Sequence, residues 1–380
     1  MLANRDHLLT DIANLINTKL ELITPENITH RFLWDEREDA ITIVLKKWDV
    51  LNQFNKQDSY GLLQSYIHHD WHTDQLATLL HAIFFDRKPW QPPTQSALLS
   101  KFGMHFIGLG CSYRNNHDLL TLLFDADFAA QWLDSSMSPS AGIYSDACAE
   151  LQHVAQRRKY LHILESIQSP CTHDILDMFP AWGAFVELGL THRFNMSAYC
   201  NNFQTDFIHR RLKPYTYAAD YRLLTAKDEL KNTTYDAVVS IEQLHFLSKQ
   251  EQRILVQDIS NKLRKGGKAL VQTISYDKNH SFAQYLFNFF LPNAVLPQYN
   301  ELMDWFAQDQ LIVEKVYAFD DNYTQTFLAW LDNLHHREQH LSELGVAPHL
   351  IRMWRLALNI AYVACQLRYL NVHQFTLRKA

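Results

Sequence analysis

The strongest constraint on the fold is an alternation of apolar and amphipathic segments that runs from about residue 150 onward. YDAVVSI (235–241) and KALVQTIS (268–275) are apolar segments of strand length. Between them, KQEQRILVQDISNKLRKGG (249–267) has the periodicity of a helix and closes with two glycines. Apolar strands separated by such helices indicate a parallel sheet with helices on both faces. In such sheets ligands bind beyond the carboxyl ends of the strands.

The first of these carboxyl ends lies in the stretch ILDMFPAWGAF (175–185). A turn of this kind is normally rich in glycine, because glycine permits positive φ and lets the backbone approach a ligand closely. Here Phe179, Pro180 and Ala181 occupy the turn, and only Gly183 remains. A bulky residue at positive φ is an outlier, and proline removes a backbone donor. The stretch therefore predicts an altered ligand-binding turn.

Composition limits the class of protein. With 380 residues and 44.5 kDa, two domains are expected. The net charge of −6 gives no support to nucleic-acid binding. No apolar stretch reaches the roughly 18 residues that a membrane span needs. Five scattered cysteines favour free thiols in a reducing compartment, so a cytoplasmic location is expected.

The N-terminal region has a different pattern. Residues 1–23 are amphipathic and predict a helix, whereas the alternation of Ile41, Ile43 and Leu45 predicts a strand within 31–46. The proline-rich segment RKPWQPPTQSALL (87–99) is typical of a linker. These features predict two domains, residues 1–115 and residues 116–380.

Several segments, in the same order along the chain, resemble the cyclopropane-fatty-acyl-phospholipid synthases, a family of class I S-adenosylmethionine methyltransferases. The second half of the alternating region, 235–275, is similar to that methyltransferase class as a whole. The family likeness is carried by SYGLLQSYIHHDWHTDQL (59–76), WLDSSMSPSAGIYSD (132–146), Asp220-Tyr221-Arg222, FNFFLPNAVLP (287–297), NYTQTFLAW (322–330) and IRMWRLALNIAYVACQLRYLNVHQ (351–374).

This resemblance implies an α/β fold, a class I methyltransferase doubly wound sheet with a small, mainly helical N-terminal domain and C-terminal cover helices. It also implies S-adenosylmethionine and bicarbonate as cofactors and an acyl lipid or other hydrophobic substrate. In the implied chemistry an acyl-chain double bond attacks the cofactor's methyl group, and bicarbonate then removes a proton. The implied partners are a second copy or an active paralogue in a dimer, and the inner face of a membrane through peripheral contact, with no nucleic acid.

The resemblance also places the cofactor site. The corresponding positions are Asp177, Phe179, Ala181, Trp182, Gly183, Asp220 and Tyr221. Because three of the four glycines expected in the turn are replaced, we predict impaired or absent binding of S-adenosylmethionine. The opposing interpretation is that the loop swings aside and the ring of Phe179 merely packs.

For the bicarbonate site, the resemblance implies the positions of Ala141, His245, Gln272, Ile274 and Tyr323. Most of these can still offer a polar group, but the family's glutamate is replaced by His245. One hypothesis makes its imidazole the proton acceptor, since an unperturbed histidine titrates near pH 6.5. The other is drift in a site without chemical demand. The neighbouring glutamate at 242 lies at a different offset and is predicted to face elsewhere.

Three functions are compatible with these patterns. The first is a degenerate, non-catalytic or altered methyltransferase-fold subunit that binds an acyl chain or an active partner. The second is an active C-methyltransferase or cyclopropane synthase acting on an unsaturated acyl chain or other hydrophobic alkene; a cofactor-free conversion in the same pocket is a third. No metal site is predicted, because the histidine pair His336 and His340 lacks a third ligand. Arg352 and Arg355 have either a structural role or contact lipid phosphate.

Overall fold

The computed structural model describes residues 18–33, 40–55, 59–84, 125–145, 150–217, 219–226, 233–276 and 295–380, together with residues 9, 10, 12, 13 and 16. The predicted domain boundary at 115/116 and the segment 287–294 lie outside these ranges. Within them, no helix combines the length and the apolar character needed to cross a bilayer.

The chain divides into two units. The first comprises Met1–Leu119 and His335–Val363, and the second comprises Leu120–Leu334 and Ala364–Ala380. The prediction had placed all residues after 115 in the larger domain. The difference arises from the segment 335–363, which is far along the chain but packs with the first unit.

The first unit contains a four-stranded sheet with the order β2-β1-β3-β4. Its strands and first helices are β1 (Leu20–Ile23), β2 (Thr29–Phe32), β3 (Ile41–Leu45), α1 (Val50–Asn55), α2 (Ser59–Ile67), β4 (Trp71–His72) and α3 (Leu76–Phe84). The predicted strand is confirmed, with Ile41, Ile43 and Leu45 all buried. The expectation of a helix through residue 23 is wrong, because Leu20–Ile23 pairs with two neighbouring strands. A sheet therefore accompanies the helices of this unit.

The second unit is the predicted doubly wound α/β fold. Its elements are α4 (Ala126–Trp132), α5 (Gln152–Ile167), β5 (Asp174–Asp177), α6 (Ala184–Thr191), β6 (Asn195–Tyr199), α7 (Asn202–Leu212), β7 (Tyr221–Leu224), β8 (Tyr235–Ile241), α8 (Lys249–Lys262), β9 (Leu263–Ser275), α9 (Tyr299–Gln308), β10 (Leu311–Ala318), α10 (Asp320–His336) and β11 (Asn371–Lys379). The sheet order is β10-β11-β9-β8-β5-β6-β7. Strand β11 is antiparallel to both of its neighbours, and the five strands from β9 to β7 are parallel.

The topology locates the ligand edge of this sheet. After β5 the chain continues to β6 and β7 on one side, and β8 then returns to the other side of β5. The carboxyl ends of β5 and β8 therefore flank the switch point, where open α/β sheets bind their ligands. Apolar side chains fill both faces of the sheet and hold these two strand ends in place.

Local sequence explains why the helix after β8 begins and ends where it does. Ser248 caps α8 by accepting from the backbone N–H of Glu251, and the Glu251 carboxylate accepts from the backbone N–H of Ser248. This capping box satisfies two of the N–H groups that every helix start leaves open. The helix ends at Lys262, and β9 begins at once with Leu263. The chain is thus turned back into the sheet without a long loop.

The last two helices are α11 (Glu338–Glu343) and α12 (Pro348–Gln366). Arg352 of α12 is buried and donates to the carbonyls of Tyr66 (2.7 Å) and Trp71 (2.9 Å). Its guanidinium carbon lies 4.0 Å from the centroid of the Tyr66 ring. These contacts tie the later segment of the first unit to its N-terminal part, so Arg352 has the structural role rather than the lipid-phosphate role.

We expect Arg352→Met to lower the free energy of unfolding by about 3 kcal/mol, because the carbonyls of Tyr66 and Trp71 each lose a buried charged donor. Arg352→Lys should recover only part of the loss, since an ammonium does not reproduce the planar guanidinium. The control is Arg355→Met, which removes a partly exposed contact to Glu338 and should cost less than about 1 kcal/mol. Urea unfolding of the variants measures both; equal losses for Arg352→Met and Arg355→Met would contradict this role.

Candidate functional site

A cavity lies at the switch point, beside the carboxyl ends of β5 and β8. It contains about 650 Å³ of empty space, a volume that includes open solvent. Its wall is mostly apolar and is formed by Pro139, Ser140, Tyr160, Asp177, Phe179, Pro180, Ala181, Trp182, Phe185, Gln204, Ile241, Glu242 and Phe246. The predicted cofactor positions of the turn are therefore all at or beside this cavity.

The turn after β5 keeps left-handed backbone at two positions. Ala181 has φ of 48° and Gly183 has φ of 85°. The first value is unusual for a residue with a Cβ and carries strain of about 1 kcal/mol. The turn is held by the N–H of Phe179 donating to the Asp177 carboxylate (3.0 Å) and by the N–H of Gly183 donating to the Pro180 carbonyl (2.8 Å). The chain thus keeps left-handed backbone in this turn, although three of the four expected glycines are replaced.

Two aromatic rings lie just beyond the carboxyl ends of β5 and β8. Phe179 follows β5, Phe246 follows β8, and their ring centroids are 6.1 Å apart. Both side chains line the cavity. Trp182, which is buried at the start of α6, packs edge-on against Phe207 at 5.1 Å. The rings make this part of the cavity wall apolar.

Asp177 is a buried carboxyl group at the end of β5. One of its oxygens accepts from Phe179, and the other has no hydrogen-bond partner among the described residues. Burial raises the pKa of Asp177 to about 7. An unpartnered buried acceptor in a cavity wall is a place where a ligand donor is favoured. The buried amide of Gln204, which the sequence analysis missed, is on the same wall.

The carboxylate of Glu242, immediately after β8, accepts three hydrogen bonds. It accepts from the backbone N–H of Ala141 (2.9 Å), from the side-chain amide of Gln272 (2.7 Å) and from the hydroxyl of Tyr323 (2.6 Å). All four residues are buried. Three of the five positions predicted for the anion site are therefore brought together, and they surround Glu242. The prediction that Glu242 faces elsewhere is wrong.

The network continues into the sheet. Gln374 of β11 donates to the Gln272 side-chain carbonyl (2.8 Å), and the His162 ring bonds to the Gln374 carbonyl (2.7 Å). Burial raises the pKa of Glu242, while its three donors and the charge of Lys159 lower it; burial is the larger effect. A chain of satisfied side chains thus fixes the position of this carboxylate.

Lys159 places a buried amine beside the two carboxyl groups. Its ammonium nitrogen donates to the Ser140 hydroxyl and to the Gln156 amide, both at 2.6 Å. Burial lowers the pKa of Lys159 to about 7, against the opposing charges of Glu242, Asp134 and Asp177. The burial of Lys159 has a signal in the sequence. Ala155, Lys159 and Ile163 follow one another at four-residue spacing, which places them on one face of α5, and all three are buried.

His245 does not take the place predicted for it. It is buried in the short 3₁₀ turn Leu244–Phe246, and its ring centroid lies 4.3 Å from that of Phe246. Burial lowers the pKa of His245 to about 3, so its imidazole is a weak base at neutral pH. It is not among the residues that line the cavity. The hypothesis that His245 accepts the proton is therefore not supported.

Three other predicted positions lie away from the cavity wall. Strand β7 begins at Tyr221, so Asp220 and Tyr221 lie at the amino end of the sheet. The backbone carbonyl of Asp220 accepts from Met196, which fixes it there. Ile274 lies on β9, two residues beyond Gln272, and its carbonyl accepts from the hydroxyl of Thr273. The residues of the turn after β5 therefore line or adjoin the cavity, whereas Asp220, Tyr221 and Ile274 do not line it.

The family model described as Mycolic acid cyclopropane synthetase matches residues 122–375, about two thirds of the chain. The chain belongs to this family. A curated relative is the Tuberculostearic acid methyltransferase UfaA1 of Mycobacterium tuberculosis (strain ATCC 25618 / H37Rv), 21% identical over 266 residues. That match covers 66% of this chain and 62% of UfaA1, so the chain spans about three fifths of that relative's length.

Solved structures show the same fold. The cyclopropane synthase MmaA2 from Mycobacterium tuberculosis has a TM-score of 0.63 at 16% identity, covering 70% of this family member and 100% of MmaA2. The mycolic acid cyclopropane synthase CmaA1 complexed with SAH and CTAB gives 0.63 at 17%, covering 70% and 99%. Coclaurine N-methyltransferase with N-methylheliamine and SAH gives 0.59 at 13%, covering 84% and 99%. The class I methyltransferase fold predicted from the sequence is confirmed.

Among the described residues, no three or more histidine, cysteine, aspartate or glutamate side chains lie together so that they could hold a metal ion. His340 instead lies 3.5 Å from Glu343 on the same helix. Asp177, Lys159 and Glu242 are buried ionisable groups at or beside the cavity.

Proposed function

We propose that this family member serves lipid modification as a degenerate methyltransferase-fold subunit, which holds an acyl chain or another long hydrophobic molecule and does not transfer a methyl group itself. The observation that carries the proposal is the wall of the cavity beyond β5. There the side chains of Phe179, Pro180 and Ala181 stand where a glycine-rich turn would leave bare backbone.

The poor fit of S-adenosylmethionine to this turn supports the proposal. A cofactor lying on the turn needs space and free backbone donors. The ring of Phe179 takes up space in the wall, and Pro180 has no N–H. The N–H groups of Phe179 and Gly183 are already bonded within the turn. The residues present in the turn therefore do not fit S-adenosylmethionine.

The rest of the wall supports a hydrophobic ligand. Pro139, Phe185, Ile241 and Phe246 contribute apolar surface around a few polar groups. Pockets with mostly apolar walls and few placed polar groups are typical of small hydrophobic ligands. The CmaA1 relative was solved with CTAB as well as SAH. An acyl chain is accordingly the ligand class that we propose.

A second candidate is an active S-adenosylmethionine-dependent C-methyltransferase or cyclopropane synthase. Two observations favour it. Ala181 and Gly183 keep the left-handed backbone of a glycine-rich turn, and one oxygen of Asp177 has no partner among the described residues. A cationic amine of a ligand would bond well to that oxygen. Relatives of this family member were solved with SAH bound.

Calorimetric titration of the full chain separates the two candidates. We expect no saturable heat with S-adenosylmethionine or SAH at dissociation constants below about 100 μM, which is roughly 5.5 kcal/mol of binding free energy. We expect saturable binding of an oleoyl lysophospholipid below its micelle concentration. Binding of S-adenosylmethionine tighter than that threshold would favour the active enzyme instead.

The lipid measurement has a matched pair of variants. Phe246→Ala removes a ring from the cavity wall and should weaken oleoyl lysophospholipid binding by about fivefold. Tyr217→Ala removes a ring that is 87% exposed and outside the wall, and it should leave binding unchanged. An equal response of both variants would place the lipid elsewhere on the molecule.

A further inference from the structure

Glu242 adopts an unusual backbone conformation that directs its side chain into the polar network. Its φ is 52°, in the left-handed region that side chains other than asparagine and aspartate seldom adopt. Its backbone N–H donates to the Gln272 carbonyl at 2.7 Å, which holds the residue in place. Such strain is retained where the surroundings define the conformation fully.

The two single-proton donors around Glu242 are both used by its carboxylate. The backbone N–H of Ala141 and the hydroxyl of Tyr323 each carry one proton, and each gives that proton to Glu242. The amide of Gln272 adds a third bond. These donors are the groups that the sequence resemblance assigned to a bound bicarbonate. A second anion at this point would find no free single-proton donor and would meet a like charge.

We propose that Glu242 is the resident anion of this site, a tethered carboxylate that takes the place of free bicarbonate and closes the site to small anions from solution. The disagreement between the residues present and the implied cofactor is the basis of the inference. Bicarbonate does not fit the site while Glu242 fills it. The proposal concerns the anion site only, so it holds whether or not S-adenosylmethionine binds.

Lys159 gives the proposal an electrostatic basis. Its amine is fully buried and hydrogen-bonded to Ser140 and Gln156, and the charge of Glu242 is the largest of the charges that favour its protonated form. One buried amine near two buried carboxyl groups, Glu242 and Asp177, leaves no surplus positive charge for a further anion.

The experiment removes the tethered carboxylate and offers a free one. In Glu242→Gly, the three donors face an empty volume, and glycine accepts the positive φ without strain. We expect sodium formate and sodium bicarbonate to raise the unfolding midpoint of this variant by about 2–4 °C at ten times their dissociation constants, against sodium chloride of equal ionic strength. The wild-type chain should show no such rise.

Two further variants keep the test decisive. Glu242→Gln fills the same volume without the charge and should show no anion-dependent rise. Adding Tyr323→Phe to Glu242→Gly removes one donor and should weaken formate binding by about tenfold or more. Titration of the wild-type chain with ¹³C-bicarbonate, followed by NMR, applies even if Glu242→Gly does not fold. Saturable bicarbonate binding to the wild type, or a folded Glu242→Gly variant that formate and bicarbonate do not stabilise, would overturn the proposal.

Discussion

Replacing Asp177 with asparagine is expected to remove the loss of stability that this carboxyl group by itself contributes between about pH 4 and pH 7. The carboxyl group is buried, one oxygen accepts from Phe179, and the pKa of the group is raised from 3.8 to about 7. One pKa unit corresponds to about 1.36 kcal/mol, so the full effect is about 4 kcal/mol.

The sign follows from proton binding. Between pH 3.8 and about 7 the unfolded chain has released the Asp177 proton, whereas the folded chain still holds it. The stability that this proton contributes is fully present below pH 3.8 and is lost as the pH rises through about 7. Asparagine cannot titrate, so the unfolding free energy of Asp177→Asn relative to that of the wild type should rise with pH across this window. Urea unfolding at intervals from pH 4 to pH 8 measures it.

Two controls define the window. Asp304→Asn removes a carboxylate from an exposed position on α9 and gives the comparison curve for a surface group. Lys159→Met should change the pH dependence of stability above pH 7 rather than below it. The pKa of Lys159 is lowered from 10.5 to about 7, so its contribution is present above pH 10.5 and is lost as the pH falls through 7. Parallel curves for the wild type and Asp177→Asn between pH 4 and pH 7 would show that burial does not shift this group.

The sheet of the second unit was predictable because its signals are local. YDAVVSI and KALVQTIS are mostly apolar, as strands covered on both faces must be, and a capping residue marks the start of α8 between them. The strand Leu20–Ile23 was missed for the opposite reason. Its pattern of Leu20 and Leu22 inward suits either a helix end or a strand, and only pairing with β2 and β3 decides between them.

The site was predictable in its parts but not in its centre. Ala141, Gln272 and Tyr323 converge as the resemblance implied. The acceptor was misjudged because a shift of three positions separates Glu242 from His245, and sequence offset does not reveal that residue 242 has positive φ. With this backbone angle, the Glu242 carboxylate lies within the network of Ala141, Gln272 and Tyr323.

The clearest test of the altered turn is a gain of function. We expect the double change Phe179→Gly and Ala181→Gly to create binding of S-adenosylmethionine with a dissociation constant below about 100 μM, where the wild type shows none. Phe179→Gly removes a ring from the cavity wall, and Ala181→Gly removes the Cβ from a residue at φ of 48°. Isothermal calorimetry on the purified double variant measures the binding.

The single variants separate the two causes. Ala181→Gly alone should relieve about 1 kcal/mol of backbone strain and raise the unfolding midpoint, without creating cofactor binding. Phe179→Gly alone should open space in the wall and give weaker binding than the double change. Tyr217→Gly removes an exposed ring outside the wall and should bind no cofactor. A folded double variant that still fails to bind would mean that the ring and the turn are not what excludes the cofactor, since space and backbone would then both have been restored.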